Sequence, residues 1–244
     1  MQRIDNLIRQ EFKYYVSSEV IAKLRTYLRE IMKVDENADS KNHQYSITSL
    51  YFDTPNEEDF EDKVDGIKSR EKFRLRIYNH SKDIIKFESK KRVETAIKKT
   101  SAIISTNDAS EVLNGNYKSL LNSNNEFLKL SYAKLTSRGY RPKLIVEYDR
   151  EAYFLPYGNI RITFDLNLRT YNSETDILNI SNAAIPIFED NLQVLEVKHS
   201  IPLPSHLKFI LSKIPATRNA ISKFVLGHKY IESSSYRDPV NAPF

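Results

Sequence analysis

Charged and apolar side chains alternate along several short stretches of the chain, and this alternation predicts β-strands. The clearest stretch, "SREKFRLRIY" at 69–78, places cations at its even positions and Phe73, Leu75 and Ile77 at odd ones. Successive side chains point to opposite faces of a strand, so one face would be apolar and the other cationic. The stretch "DIIKFESKKR" at 83–92 repeats the pattern, and the turn "NHSK" between the two predicts a hairpin.

Six stretches in all pair an apolar face with a face of mixed Lys, Arg, Glu and Asp, and apolar residues at helical spacing separate several of them. The remaining strands are predicted at 9–16, 141–154, 159–169 and 192–200, with further strands at 44–54 and 94–105. Helices are predicted after an N-cap at Ser17 or Ser18, at 108–122 and 125–136 with Asp108 and Asn124 as caps, and at 204–213 and 216–230.

The charged faces allow two interpretations. Each could be an ordinary solvated face of a sheet. Alternatively, the amphipathic helices cover the apolar face of the sheet, which leaves the charged face on the other side. If the sheet closed on itself, the charges would then line a lumen. Buried charges are costly unless they are compensated, so such a lumen would call for a bound polyanion and a divalent metal.

The amino-acid composition indicates which kinds of partner and chemistry to expect. The chain has 244 residues with 37 Lys and Arg against 32 Asp and Glu, a net charge of +5 that favours anionic partners. It has no cysteine, which excludes disulfides and thiolate chemistry, and its five glycines form no phosphate-binding loop. No apolar run approaches the ~20 residues of a membrane span, and the N-terminus lacks the apolar core of a signal peptide. We therefore expect a cytoplasmic, soluble protein.

The residue types on the charged faces suit a metal–triphosphate site. Arg and Lys grip phosphate oxygens, while carboxylates are hard ligands suited to Mg²⁺ or Mn²⁺. Carboxylates interleaved with the cations would make a poor groove for a nucleic-acid backbone. The candidate cations are Lys13, Arg74, Arg76, Lys90 and Lys198, and the candidate metal ligands are Glu11, Glu88, Glu147 and Glu196.

The ordered motifs resemble a known family, the vacuolar transporter chaperone (VTC) polyphosphate polymerases of the triphosphate tunnel, or CYTH-like, superfamily. The resemblance spans roughly 8–230 and rests on "RQEFKYYV", "SLYFDT", "GIKSREKFRLRIY", "KFESKKR", "VEYDREAY", "IRITFD", "LEVK" and "SKFVLG". It implies an α+β fold: a closed eight-stranded antiparallel β-barrel, with helices packed outside and a C-terminal helix at one tunnel mouth. It also implies transfer of the ATP γ-phosphate onto a growing polyphosphate chain, with Mn²⁺ or Mg²⁺.

The resemblance also assigns roles to individual residues of this sequence. Phosphate contacts would come from Lys13, Arg74, Arg76, Lys90, Arg150, Lys198 and Lys223. Apart from the resemblance, Lys86, Arg161 and Tyr51 are further candidate substrate contacts, and Arg161 and Asp165, on the charged face of their strand, are weaker candidates. Glu196 would be the main metal ligand, helped by Glu11 and Glu88. Arg150 and Glu147 differ in strand parity, so either a bulge turns both inward, as we expect, or one faces outward.

Three functions remain open: the polymerase, a metal-dependent tripolyphosphatase or nucleoside triphosphatase, and a non-catalytic polyphosphate-binding module. The expected partners are ATP and polyphosphate; we expect no nucleic acid and no membrane segment in this chain. We predict a single domain at 1–232 and a polar tail at 233–244. The histidines at 43, 80, 199, 206 and 228 lack metal-binding spacing, so surface or structural roles are predicted for them. The acidic run at 57–65 is predicted to be solvated.

Overall fold

The computed structural model describes residues 10–94, 96–171, 175–188, 191–216 and 218–235. Its strands are β1 Gln10–Ser17, β2 Lys33–Val34, β3 Gln44–Asp53, β4 Arg70–Tyr78, β5 Ser81–Val93, β6 Ala96–Ile104, β7 Arg141–Leu155, β8 Ile160–Thr170, β9 Ile185–Pro186 and β10 Leu192–His199. Its helices are α1 Ser18–Ile31, α2 Glu58–Val64, α3 Thr106–Leu113, α4 Lys118–Leu121, α5 Glu126–Ser137, α6 Ser205–Ser212 and α7 Lys223–Ser235. The predicted mixed α+β class is confirmed.

The strands form one sheet that is open. Its order is β1-β10-β8-β7-β3-β4-β5-β6, with β2 paired to β7 and β9 to β8. The prediction of a closed eight-stranded barrel is therefore wrong: the sheet has ten strands, and within the described residues β1 and β6 are left as its two edges. Alternation along a strand reports which face is buried, but it carries no information on whether two distant edges pair.

The fold comprises two compact units. The first comprises the described parts of Met1–Ser46, Tyr148–Leu168 and Phe188–Ile221, and the second those of Ile47–Glu147, Arg169–Ile187 and Ser222–Phe244. The predicted domain limits at 1–232 stay a prediction. Of the predicted tail, Ser233–Ser235 continue α7, and the rest lies outside the described residues.

Each unit has its own apolar core, built from the strand faces that the alternation predicts. In the second unit, Phe73, Leu75 and Ile77 of β4 pack with residues of α3 and α5 such as Val112 and Leu135. In the first unit, the apolar side of α1 packs on β8 and β10, where Phe164 and Leu195 are fully buried. Helices thus cover the apolar faces of the strands, as the sequence predicts.

Two local features fix the surroundings of the charged faces. The β4–β5 hairpin turns through Asn79 and His80, both at positive φ (49° and 55°), followed by a register shift before Arg76 pairs with Lys86. At the end of β3, the Asp53 carboxylate accepts hydrogen bonds from the backbone N–H groups of Thr54, Asp59 and Phe60. Asp53 therefore fixes the junction between β3 and α2.

Several predicted helix limits need correction. The single helix predicted at 108–122 is two, α3 and α4, because the chain turns through Gly115, whose φ is 76°. Asp108 is not the N-cap of α3; Ser105 is, and Asp108 completes the capping box as the third helical residue. Asn125, not Asn124, caps α5. The last helix begins at Lys223 rather than near 216.

Gly227 lets α7 approach β7 closely. A Cβ at this position would lie 2.8 Å from Leu144 Cδ1 and 3.0 Å from Val146 Cγ2. We expect Gly227→Ala to destabilise the protein by about 1–2 kcal/mol, since overpacking outweighs the better helix propensity of alanine. Urea denaturation measures this, with the exposed Lys229→Ala in the same helix as the control. A Gly227→Ala protein as stable as the control would contradict the close packing.

Among the helices that the structure describes, none combines the length and apolar character needed to cross a bilayer.

Candidate functional site

The second unit holds an arginine cluster, defined here as Arg74, Arg76, Glu88 and Lys99. Glu88 on β5 is 1% exposed, and Arg74 on β4 lies directly opposite it in the strand register. Arg74 Nε and Nη2 each lie 2.7 Å from Glu88 Oε2, while Arg76 Nη1 is 3.7 Å from the same oxygen. Lys99 Nζ on β6 is 2.5 Å from Glu88 Oε1. Three cations therefore surround one buried carboxylate.

The arginine cluster carries more positive than negative charge. Burial disfavours the charged form of Glu88, but the nearby Arg74, Arg76 and Lys99 lower its pKa to about 2. Glu88 is thus a carboxylate at any ordinary pH, yet it offsets only one of the three cations. The excess positive charge suits an anion, and two guanidinium groups offer the paired N–H donors that phosphate oxygens accept.

Two predicted residues adjoin the arginine cluster. The Tyr51 hydroxyl accepts a hydrogen bond from Arg74 Nη1 at 3.3 Å. Burial raises the pKa of Tyr51, but the positive charges of Arg74, Arg76 and Lys223 outweigh it and lower that pKa. Lys223, the first residue of α7, therefore contributes to the field at Tyr51, although it comes from a helix rather than a strand.

Two further predicted lysines lie on the same face of β5 as Glu88. Lys86 pairs with Arg76 in the strand register, and its ammonium lies 5.1 Å from the centre of the Tyr78 ring. Lys90 is exposed and pairs with Lys72 on one side and Lys99 on the other. The strand register thus continues the cationic surface beyond the arginine cluster.

Glu147, a predicted metal ligand, lies in different surroundings. It is 1% exposed and accepts hydrogen bonds from Arg169 Nε at 2.9 Å and Thr48 Oγ1 at 2.6 Å, with His80 Nε2 3.0 Å away. Two residues away on the same strand, Ile145 belongs to the core of the second unit. These contacts give the surroundings of Glu147 alone, and the expectation that Glu147 and Arg150 both face inward stays a prediction.

The first unit holds a second group, called here the β10 cluster: Glu11, Lys13, Arg150, Asp165, Glu196 and Lys198. Antiparallel register places Glu11 opposite Lys198 and Lys13 opposite Glu196. Lys198 Nζ lies 2.9 Å from Glu196 and 3.9 Å from Glu11, and Lys13 Nζ is 3.2 Å from Glu11. Each cation therefore has a carboxylate across or along the strand.

Arg150 connects β7 to this cluster. Its Nε lies 2.7 Å from Asp165 Oδ1 and its Nη2 2.9 Å from Asp165 Oδ2, a bidentate pair, and Nη2 is 3.6 Å from Glu196. Burial lowers the pKa of Lys13, but Glu196, Glu11 and Asp165 outweigh it and raise that pKa. The β10 cluster has three cations and three carboxylates, so it is balanced where the arginine cluster is positive.

Arg161, predicted to contact substrate, has protein partners instead in the described part of the first unit. Its Nη2 lies 2.8 Å from Asp35 Oδ2 and 3.1 Å from the Tyr45 hydroxyl. A substrate would have to compete with Asp35 for this guanidinium.

The carboxylates differ in their fitness for a metal. Within the described residues, only Glu57, His228 and Glu232 bring three possible ligand atoms within 4.8 Å of one another. Glu196, 4% exposed, has the hard oxygens that Mg²⁺ and Mn²⁺ prefer, and Lys198 already contacts both Glu196 and Glu11 as a positive partner. Mg²⁺ needs only one or two protein carboxylates when substrate phosphates complete its shell, so Glu196 with Glu11 fits that role.

Sequence reasoning missed two features of these sites. Lys99 was not singled out, although the alternation of "AIKKTSAII" places it on one face of β6; only the strand register shows that this face adjoins Glu88. The acidic run was expected to be solvated, yet Asp59 is 1% exposed. Burial first, and then the charge of Asp53, raise the pKa of Asp59 to about 7.

The family follows from comparison with known sequences. The model of the VTC domain family matches residues 8–231, nearly the whole chain. The chain therefore belongs to the VTC domain family, which confirms the resemblance that the motifs carry. Among curated proteins, no match was found.

One solved structure shows the same fold in a distant protein, and a second is reported with it. A candidate adenylate cyclase from Bacillus halodurans matches with a TM-score of 0.51 at 14% identity, covering 88% of this chain and 98% of that one. A candidate adenylate cyclase from Vibrio parahaemolyticus matches with a TM-score of 0.47 at 11% identity, covering 89% of this chain and 96% of that one. At 14% identity, the match to the Bacillus halodurans protein is evidence for a shared fold and for nothing more.

Proposed function

We propose that this protein is an ATP-dependent polyphosphate polymerase that uses Mn²⁺ or Mg²⁺. The observation that carries the proposal is the arginine cluster: a buried, fixed carboxylate holds two guanidinium groups and an ammonium in place and leaves net positive charge. Membership of the VTC domain family supports the same assignment.

Each group of residues has a role in the proposed reaction. Arg74, Arg76 and Lys99 bind phosphate oxygens, and Glu88 keeps the two arginines oriented before substrate arrives. In the first unit, Glu196 with Glu11 would hold the metal, which would supply charge neutralisation when bound. The bond between the γ-phosphorus and the ADP oxygen breaks as a terminal polyphosphate oxygen forms the new bond, and ADP leaves. Such catalysis is mainly positioning and electrostatic stabilisation.

The test is a product assay. Incubating the protein with ATP labelled at the γ-phosphate and MnCl₂, then resolving the products by electrophoresis, is expected to give a polyphosphate ladder. Glu196→Gln is expected to abolish the ladder, because the amide removes the charge that the metal needs. Glu30→Gln, on the exposed side of α1, is the matched control and should retain it.

The other outcomes identify the alternatives. Release of labelled inorganic phosphate without a ladder would mean that water is the acceptor and the protein is a triphosphatase. Binding of tripolyphosphate with neither product would leave a polyphosphate-binding module. A ladder of equal strength from Glu196→Gln and wild type would contradict the metal assignment.

A further inference from the structure

The second unit contains a group of ligand-type side chains outside the arginine cluster. Glu57 is the N-cap of α2, and His228 and Glu232 lie one turn apart on α7, so they share a face of that helix. Their possible ligand atoms all lie within 4.8 Å of one another. The predicted role of His228 as a surface or structural histidine, drawn from spacing along the chain, did not anticipate this group.

His228 is the central and most buried member. Its side chain is 4% exposed, with Nε2 3.0 Å from Glu57 Oε2 and Nδ1 3.4 Å from Glu232 Oε1. Neither ring nitrogen makes a hydrogen bond of acceptable geometry with the residues that the structure describes. A buried imidazole with unsatisfied nitrogens is costly, so its position beside two carboxylates calls for a further partner.

The surrounding packing holds the imidazole in place. The Phe60 ring stacks on it with the ring centres 3.9 Å apart, and Gly227 brings this part of α7 close to Leu144 and Val146. Glu57 adopts a left-handed conformation (φ 59°), which costs energy for a residue with a side chain. Glu57 also pairs with Lys143.

We propose that Glu57, His228 and Glu232 form a binding site for a zinc-class divalent cation, distinct from the metal assigned to Glu196. One imidazole and two carboxylates are a ligand set that Zn²⁺ accepts, whereas Mg²⁺ favours oxygen-only sites. A divalent cation would offset the two carboxylates and satisfy one ring nitrogen. The partial exposure of Glu57 and Glu232 gives the ion a route in and leaves room for water as a fourth ligand.

The site would tie the start of α2 to α7. Since α7 begins at Lys223, whose charge acts on Tyr51, occupancy by the cation would stabilise the helix that carries this lysine. The competing explanation is a His228 that contacts the two carboxylates directly, without any metal.

Calorimetric titration with ZnCl₂ alone tests the proposal, with no nucleotide present. Wild type should bind Zn²⁺, and His228→Gln should weaken that affinity about 100-fold or abolish binding, because a first ligand is lost. His206→Gln, an exposed histidine on α6, is the control and should bind as wild type does. Glu232→Gln should also weaken binding, and because its side chain is 55% exposed this variant leaves the packing intact.

Thermal melting separates the site from its alternatives. Zn²⁺ should raise the melting temperature of wild type, His206→Gln and Glu196→Gln, but not of His228→Gln or Glu232→Gln. Equal Zn²⁺ binding by wild type and His228→Gln, or no binding by wild type, would overturn the proposal. If wild type exceeds His228→Gln in melting temperature by the same amount with and without Zn²⁺, the proposal is overturned in favour of direct contact between His228 and the two carboxylates. Because Glu196→Gln should keep this response, failure here is distinguishable from failure of the proposed polymerase.

Discussion

Arg74→Met is expected to lower kcat/KM for ATP with Mn²⁺ by about 100-fold or more, the scale seen when one donor to a developing charge is removed. Arg74 is the guanidinium held most firmly by Glu88, through Nε and Nη2. Its loss removes paired phosphate donors and one of three cations around that carboxylate. Steady-state kinetics measures the effect, and calorimetry with tripolyphosphate should show weaker binding even if turnover is too slow to follow.

Lys91→Met is the matched control for Arg74→Met. Lys91 lies on the same hairpin, is exposed, and occupies the opposite strand parity from Glu88, so its replacement removes one positive charge without touching the arginine cluster. Equal tripolyphosphate affinity in the two variants would show that only overall charge matters, and would contradict a phosphate site at Arg74.

Glu88→Gln is expected to destabilise the folded protein by about 3 kcal/mol at pH 7, because removing one partner of a buried ionic group leaves the others uncompensated. The folded-state pKa of Glu88, about 2, lies below its ordinary value of 4.5. Its contribution is therefore fully present above about pH 5 and lost as the pH falls towards 2. Urea denaturation of wild type and Glu88→Gln, at pH 7 and again at pH 3, measures the free energy of unfolding at each pH.

Glu94→Gln provides the comparison on the same hairpin. Glu94 pairs with Lys68, and both side chains are mostly exposed, so this change should cost under about 1 kcal/mol. The stability advantage of wild type over Glu88→Gln should shrink at pH 3, because at that pH Glu88 is already protonated in the unfolded chain while it is still mostly charged in the folded protein. A constant difference between the two at both pH values would mean that packing, rather than charge, sets the effect.

Alternation was sufficient to predict most strands, because a strand with one buried face leaves a period of two in the sequence. It could assign Arg74, Arg76 and Glu88 to common faces, and register then brought them together. The strand register itself could not be predicted from the sequence. Lys99 lies near Glu88 only because β6 pairs with β5. Closure of the sheet, likewise, depends on hydrogen bonds between edge strands that no local pattern records.

The contacts that sequence reasoning could not reach are long-range ones between unlike elements. Glu57 and His228 come from α2 and α7, and neither residue has ligand-type neighbours at a recognisable spacing. The start of α7 at Lys223 was also missed, because an apolar pattern marks the face of a helix better than its first residue. Arg150 and Glu147 are a further example. Their positions along the strand could not decide whether both side chains face inward or one faces outward.

The turn at Asn79 and His80 constrains how this region can change length. The register shift that follows it determines which residue of β5 stands across from Arg74. Deleting one residue between the turn and Lys86 would present Phe87 or Ser89 to the arginines in place of Glu88, and would move charged side chains into the apolar core. Insertions and deletions in this hairpin should therefore be tolerated far less than substitutions at its exposed positions.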